Sequence, residues 1–226
     1  MAKQQQQKKI IDNLHDYVES LKRFDPYEEY NECWVVETLR HFISLYRWNT
    51  LSRMNNCDES SEIDFVLQMW VQLDKAFPNL YIDTRRDVSC AATLTHVNGE
   101  RCIDGVNPIA AQVKIVRPDL VLTKENLEYG LGEVGKHGLF EIGKKEVVET
   151  KLHSPEVLKD MFLRAVAKTA NDEKVVGQFK TVCFNQTCFR VSLSVIDCPS
   201  GVICRMNTSE EYKVSNDISS FTSGIS

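Results

Sequence analysis

As far as Pro78 the apolar residues of this chain recur three and four apart, and beyond Pro78 they alternate. A change of period from about 3.6 to 2 residues fits neither a helical bundle nor a strand-only sandwich. It requires a mixed α/β chain with its helices gathered at the N-terminal end. From Gln7 to Phe24, Ile10, Ile11, Leu14, Val18 and Leu21 mark one helical face, which Pro26 ends. From Glu28 to Trp48, Tyr30, Cys33, Val35, Leu39, Phe42 and Tyr46 repeat the pattern. A third helix follows the polar stretch from Asn49 to Ser60. Ser60 or Ser61 is its cap, acids fill its first turn, and Ile63, Val66, Trp70 and Phe77 form its stripe.

Beyond Pro78 the pattern predicts strands at Leu80–Asp83, Val88–Thr95, Gln112–Thr123 and Leu127–Gly135, with a turn signal at Asn98-Gly99. A helix covers Ser154 to Lys168, with Ser154 as cap and Pro155 at the first helical position, and its start could reach back to Lys145. Val175–Phe184, Thr187–Ile196 and Gly201–Met206 alternate and finish the fold as strands. The expected division is an N-terminal helical extension (1–59), an α/β core (60–214) and a Ser-rich disordered tail (215–226). With 226 residues, 42% hydrophobic and 26% charged, the chain can bury a core of ordinary size.

Charge and cysteine usage narrow the functional classes. A formal net charge of -5 argues against a protein that coats nucleic acid by bulk positive charge, while leaving room for a local basic groove. No run approaches the roughly eighteen apolar residues of a membrane helix. The Gln- and Lys-rich start lacks the apolar segment of a signal peptide. Eight cysteines (33, 57, 90, 102, 183, 188, 198 and 204) without such a signal read as reduced, mostly buried thiols, so the expected setting is intracellular, nucleus or cytoplasm. The pairs Cys183/Cys188 and Cys198/Cys204 offer four thiolates, but their gaps do not suit a zinc knuckle. The five histidines show no metal spacing, and Trp34, Trp48 and Trp70 lie on helical stripes as core residues.

The stretch from Arg117 to Lys136 carries the candidate chemistry. If Val116–Thr123 and Leu127–Gly135 form a hairpin centred on Asn126, Asp119 lies directly opposite Glu133. Facing residues have Cβ atoms about 4.5–5.5 Å apart on one sheet face. Two carboxylates at that separation can share a hard divalent cation that accepts oxygen ligands and water. Such a cation activates water and offsets charge on a phosphodiester.

Pro118-Asp119, followed by Gly132-Glu133, resembles the core motif of the PD-(D/E)XK, restriction-endonuclease-like nuclease superfamily, and is similar to a group of uncharacterised fungal proteins carrying that core. The segments Ser61–Trp70, Arg117–Asp119, Gly130–Gly135 and Leu158–Met161 support the resemblance over most of the chain. It implies an αβββαβ core and metal-dependent hydrolysis of nucleic acid, DNA favoured over RNA, with no membrane partner and a homodimer left open. Asp119 and Glu133 would be ligands of Mg²⁺ or Mn²⁺, and Glu62 a helix acid. Glu62 is equally explained as a first-turn acid favoured by the helix dipole. The motif's lysine belongs two residues after the second acid, where this chain has Gly135; Lys136 comes one later and would point away unless a bulge turned it back. Arg117 and Lys114, with Arg85, Arg86 and Arg101, would supply a phosphate-binding rim.

Other readings compete. Gly130-x-Gly132-x-x-Gly135 matches a dinucleotide fingerprint but lacks the strand before it and the helix after it. Glu149-Thr-Lys151 is a rival acid-x-lysine whose acid would not face Asp119. A catalytically inactive nuclease-fold protein, binding nucleic acid or a protein partner, accounts for Gly135, and a plain interaction domain needs no site.

Overall fold

The computed structural model describes residues 2–54, 60–99, 116–135, 148, 152–170, 172–200 and 203–218. They form a mixed α/β fold around one seven-stranded, mostly antiparallel sheet. Five helical segments precede the first strand: α1 (Ala2–Ser20), α2 (Tyr30–Arg47), α3 (Thr50–Met54), α4 (Glu62–Phe65) and α5 (Val71–Asp74). The last two are one rod interrupted by a π turn at Val66–Trp70. Ser61 caps it as expected: its hydroxyl accepts the Asp64 amide at 3.2 Å while Asp64 Oδ2 accepts the Ser61 amide at 2.7 Å.

The strands are β1 (Asp83–Arg85), β2 (Leu120–Lys124), β3 (Leu127–Gly135), β4 (Lys180–Thr187), β5 (Arg190–Asp197), β6 (Arg205–Thr208) and β7 (Tyr212–Lys213). Their spatial order is β1-β2-β3-β4-β5-β6, with β7 also on β5. Only β3 and β4 run parallel. A parallel neighbour demands a crossover, and α7 (Ser154–Lys168) lies within it and packs on the sheet. Helix α6 (Ala91–Gly99) lies between β1 and β2, and the short α8 (Glu173–Val176) precedes β4.

The two faces of the sheet carry separate cores. On one, Val121, Leu131, Cys183 and Ile196 pack against Val157, Leu158, Met161 and Phe162 of α7. On the other, Phe77 packs on Phe184, whose side chain points opposite to that of Cys183. There the helices from α1 to α5 enclose Ile43, Leu51, Phe65 and Met69 and reach Cys188 and Phe189 in the β4–β5 turn. Among the described residues, no helix is long and apolar enough to cross a membrane.

Several local expectations change. Val88–Thr95 is not a strand; α6 occupies most of it because Glu128 of β3 supplies the helix with a cap from a distance. The Glu128 carboxylate accepts the Ala91 and Ala92 amides, each at 2.7 Å. Leu80 ends a 3-10 turn (Pro78–Leu80), Tyr81 takes φ 56°, and the strand starts only at Asp83. Val175 and Val176 belong to α8, which Asp172 caps. Ser154 is not a helix cap: His153 before it has helical φ/ψ, and the Ser154 side chain is buried. Trp48 is 68% exposed rather than core. The expected disorder from Ser215 does not hold for Ser215–Ile218: the Tyr46 hydroxyl donates to the Ser215 carbonyl and Ile218 is buried in the helical core.

Candidate functional site

The acid pair is set by the β2–β3 hairpin. Glu125 and Asn126 both have positive φ, 50° and 63°, which is the two-residue turn that twists with its strands. Lys124 therefore faces Leu127, one residue out of step with a hairpin centred on Asn126. A bulge between Leu122 and Thr123 then restores the expected register, so that Leu122 faces Gly130 and Leu120 faces Gly132. Asp119 and Glu133 are the next residues beyond the Leu120–Gly132 pair. The Asp119 carboxylate turns onto β3, where Oδ2 accepts the Val134 amide at 2.7 Å. A hydrogen bond from a backbone amide to a carboxylate fixes the carboxylate's direction and favours its ionised form.

Glu133 continues the site across the sheet. It pairs with Asn185 of β4, and Asn185 with Ser192 of β5. Around it lies a run of polar side chains in an otherwise apolar face. The Cys183 thiol donates to Asn185 Oδ1 at 3.2 Å, Asn185 Nδ2 donates to Ser194 Oγ at 3.1 Å, and Ser194 shares a 3.0 Å bond with Thr208. Ser154, at the head of α7, is buried near the same thiol. Burial pushes the Cys183 thiol well above its ordinary range, and the Glu133 carboxylate adds to that while Ser154 opposes it. Cys183 is thus a neutral hydrogen-bond donor, unsuited to nucleophilic attack. None of these neighbours was anticipated from sequence. The one available signal was the polar run Asn185-Gln186-Thr187 closing an apolar strand.

Gly135 stays in regular register with Thr187, so β3 carries no bulge against β4 up to that residue. A Cβ there would lie 3.3 Å from Thr187 Oγ1, tight enough that Thr187 would have to give. Lys136 and Lys114 lie outside the described residues, as do Arg101, Lys145, Glu149 and Lys151. Glu62 begins the rod that packs Phe65 and Met69 into the helical core. Among the described residues no three His, Cys, Asp or Glu side chains gather as a metal-holding group, so Glu62 does not join Asp119 and Glu133 in one. Arg117 is exposed beside Asp119. Arg86 is occupied, since its guanidinium makes bonds of 2.7 and 3.0 Å to the two oxygens of Asp74.

The Gly-rich segment is strand, not a phosphate loop. At Gly130 a Cβ would come within 2.5 Å of the Val182 carbonyl oxygen, so glycine there lets β3 and β4 approach. The four-thiolate arrangement does not form: Cys183 belongs to the α7 side of the sheet and Cys188 to the helical core. No family model matches the chain, and no curated protein or solved structure shows significant similarity to it.

Proposed function

We propose that this chain has a restriction-endonuclease-like core and hydrolyses phosphodiester bonds of nucleic acid, DNA in preference to RNA, with Asp119 and Glu133 as its metal-binding acids. The observation that supports this reading is the hairpin register, which pairs Leu120 with Gly132, the residues next to Asp119 and Glu133. The element order supports the reading apart from one insertion: the α4–α5 rod, β1, the β2–β3 hairpin, the crossover helix α7 and β4 parallel to β3 follow an αβββαβ order, with α6 inserted between β1 and β2.

The donor set fits a hard cation of the Mg²⁺ or Mn²⁺ type. Two carboxylates on facing strands offer oxygen ligands, and such ions complete their shell with water. Bound there, the ion would lower the pKa of a water and offset phosphodiester charge. The chain's own residues do the rest. The Val134 amide holds one oxygen of Asp119 at 2.7 Å and so fixes the direction of the carboxylate. Arg117, exposed two residues before Asp119, offers a guanidinium to a phosphate oxygen.

A second reading, an inactive nuclease-fold protein that binds nucleic acid or a protein, is favoured by Gly135. The position that would present a lysine to the scissile phosphate has no side chain and lies against Thr187. Plasmid, single-stranded DNA and RNA, each incubated with Mg²⁺ or Mn²⁺ and with chelator, decide between the two. The catalytic reading expects cleavage that chelator abolishes and that Asp119→Ala reduces at least about a hundredfold. Cleavage surviving either treatment overturns it, and retained binding without cleavage selects the second reading.

A further inference from the structure

Beyond the acid pair, one arrangement of side chains has chemistry of its own. The β5–β6 ladder ends at the pair Asp197 and Arg205. Cys198 and Cys204 are the next residues beyond that pair, one on each side of the hairpin. The ladder is pinned at that end, because Arg205 Nε and Nη2 donate to the two Asp197 oxygens at 3.0 and 2.8 Å. The Cys204 and Cys198 thiols are near enough to influence one another electrostatically. Both cysteines are reduced; Cys198 is buried and Cys204 exposed.

We propose that Cys198 and Cys204 form a redox pair, which a small-molecule disulfide such as oxidised glutathione converts to an intrachain cross-strand disulfide closing the β5–β6 hairpin. Facing strand residues hold their Cβ atoms about 4.5–5.5 Å apart, and a disulfide needs about 3.5–4.5 Å. The required approach is small, and it falls at the open end of the ladder, where the chain turns through Pro199 and Ser200. Exposure makes Cys204 the residue a reagent reaches first. Burial of Cys198 beside it favours resolution within the chain over linkage to a second molecule.

The exchange balances without a further reactant. The Cys204 thiolate attacks one sulfur of the oxidant, the oxidant's S–S bond breaks, and one small thiolate leaves and takes up a proton. Cys198 gives its proton to water and attacks Cys204 Sγ in the mixed disulfide, releasing the second small thiol. Two protein thiols are oxidised and one external disulfide is reduced. Burial and the neighbouring thiol hold Cys204 above its ordinary range, against the opposing pull of Lys159 on α7. The reaction therefore quickens with alkali, by about tenfold per pH unit below the thiol pKa.

Both cysteines fall in one tryptic peptide, Val191–Arg205, with no Lys or Arg between its ends. The full chain is incubated with oxidised glutathione, its remaining thiols are alkylated, and it is digested without reduction. The expected peptide takes up no alkyl group and is lighter than the reduced peptide by two hydrogen atoms; reduction restores two alkylation sites. Cys204→Ser, a change at an exposed residue, abolishes the hydrogen loss. Alkylation at both cysteines after oxidation overturns the proposal. Glutathione retained on both, or Cys204 joined to a second chain, overturns it equally.

Discussion

The two faces of the sheet are built on different terms. The face toward α1–α5 is mostly apolar, with Phe65 fully buried and edge-on to Phe189 at 5.5 Å, and the buried Gln186 of β4 as its polar exception. The face toward α7 begins the same way, with Leu131, Leu158 and Phe162, then turns polar from Cys183 and Asn185 toward Glu133. Apolar packing is non-directional and tolerates many substitutes of similar volume. A run of hydrogen-bonded polar groups at low dielectric fixes direction, and leaving one of them unpaired is costly. The first face can therefore change without consequence for the acids, whereas the second cannot.

The largest effect is expected on the apolar face. Phe65→Ala should cost about 3–5 kcal/mol in denaturant unfolding. The proposed metal-dependent cleavage, per folded molecule, should not change, and its loss in the folded fraction would show that the two faces are coupled.

On the other face the sharpest structural test is Glu128. This buried acid accepts two α6 amides and the Arg164 guanidinium, the last at 3.3 Å. Glu128→Ala removes the acceptor of all three donors and should cost about 1–3 kcal/mol for each buried donor left unpaired, offset where water can enter. Hydrogen exchange should rise first in α6. A uniform rise across the sheet would mean that α6 is not a separate unit.

Cys183 gives the smallest expected effect. Its folded pKa is raised by burial, so the neutral thiol favours the native state below the ordinary cysteine value. That contribution is lost as pH rises beyond it, because the unfolded chain releases the proton first. Cys183→Ala should flatten the alkaline limb of the stability-against-pH curve. An unchanged slope above pH of about 8.5 would assign that limb to other groups.

These contrasts explain what sequence could reach. Helices α1, α2 and α7 were legible because their stripes are long and regular. The register of the β2–β3 hairpin was legible for a less direct reason: a shorter turn and a bulge cancel, and the expected pairing of Leu120 with Gly132 survives. The stripe of the third helix was only partly right. Its π turn carries one residue more than an α turn, which rotates the segment before it by about 100° and leaves Ile63 54% exposed. Helix α6 was missed because its cap, Glu128, comes from a strand 36 residues away. The neighbours of Glu133 were missed because β4 joins β3 only through the crossover, and no local pattern announces which residue of one faces which residue of the other.

The bond from Trp70 Nε1 to the Cys188 carbonyl spans 118 residues. At a synthesis rate of about 5–20 residues per second, Trp70 waits roughly 6–24 s for that partner. During that interval α1–α5 are complete as segments while β1 to β4 are still being made. Their shared apolar surface stands open until the β4–β5 turn and then Ile218 arrive. The helical layer is thus made first and finished last, and chaperone dependence during synthesis should concentrate there.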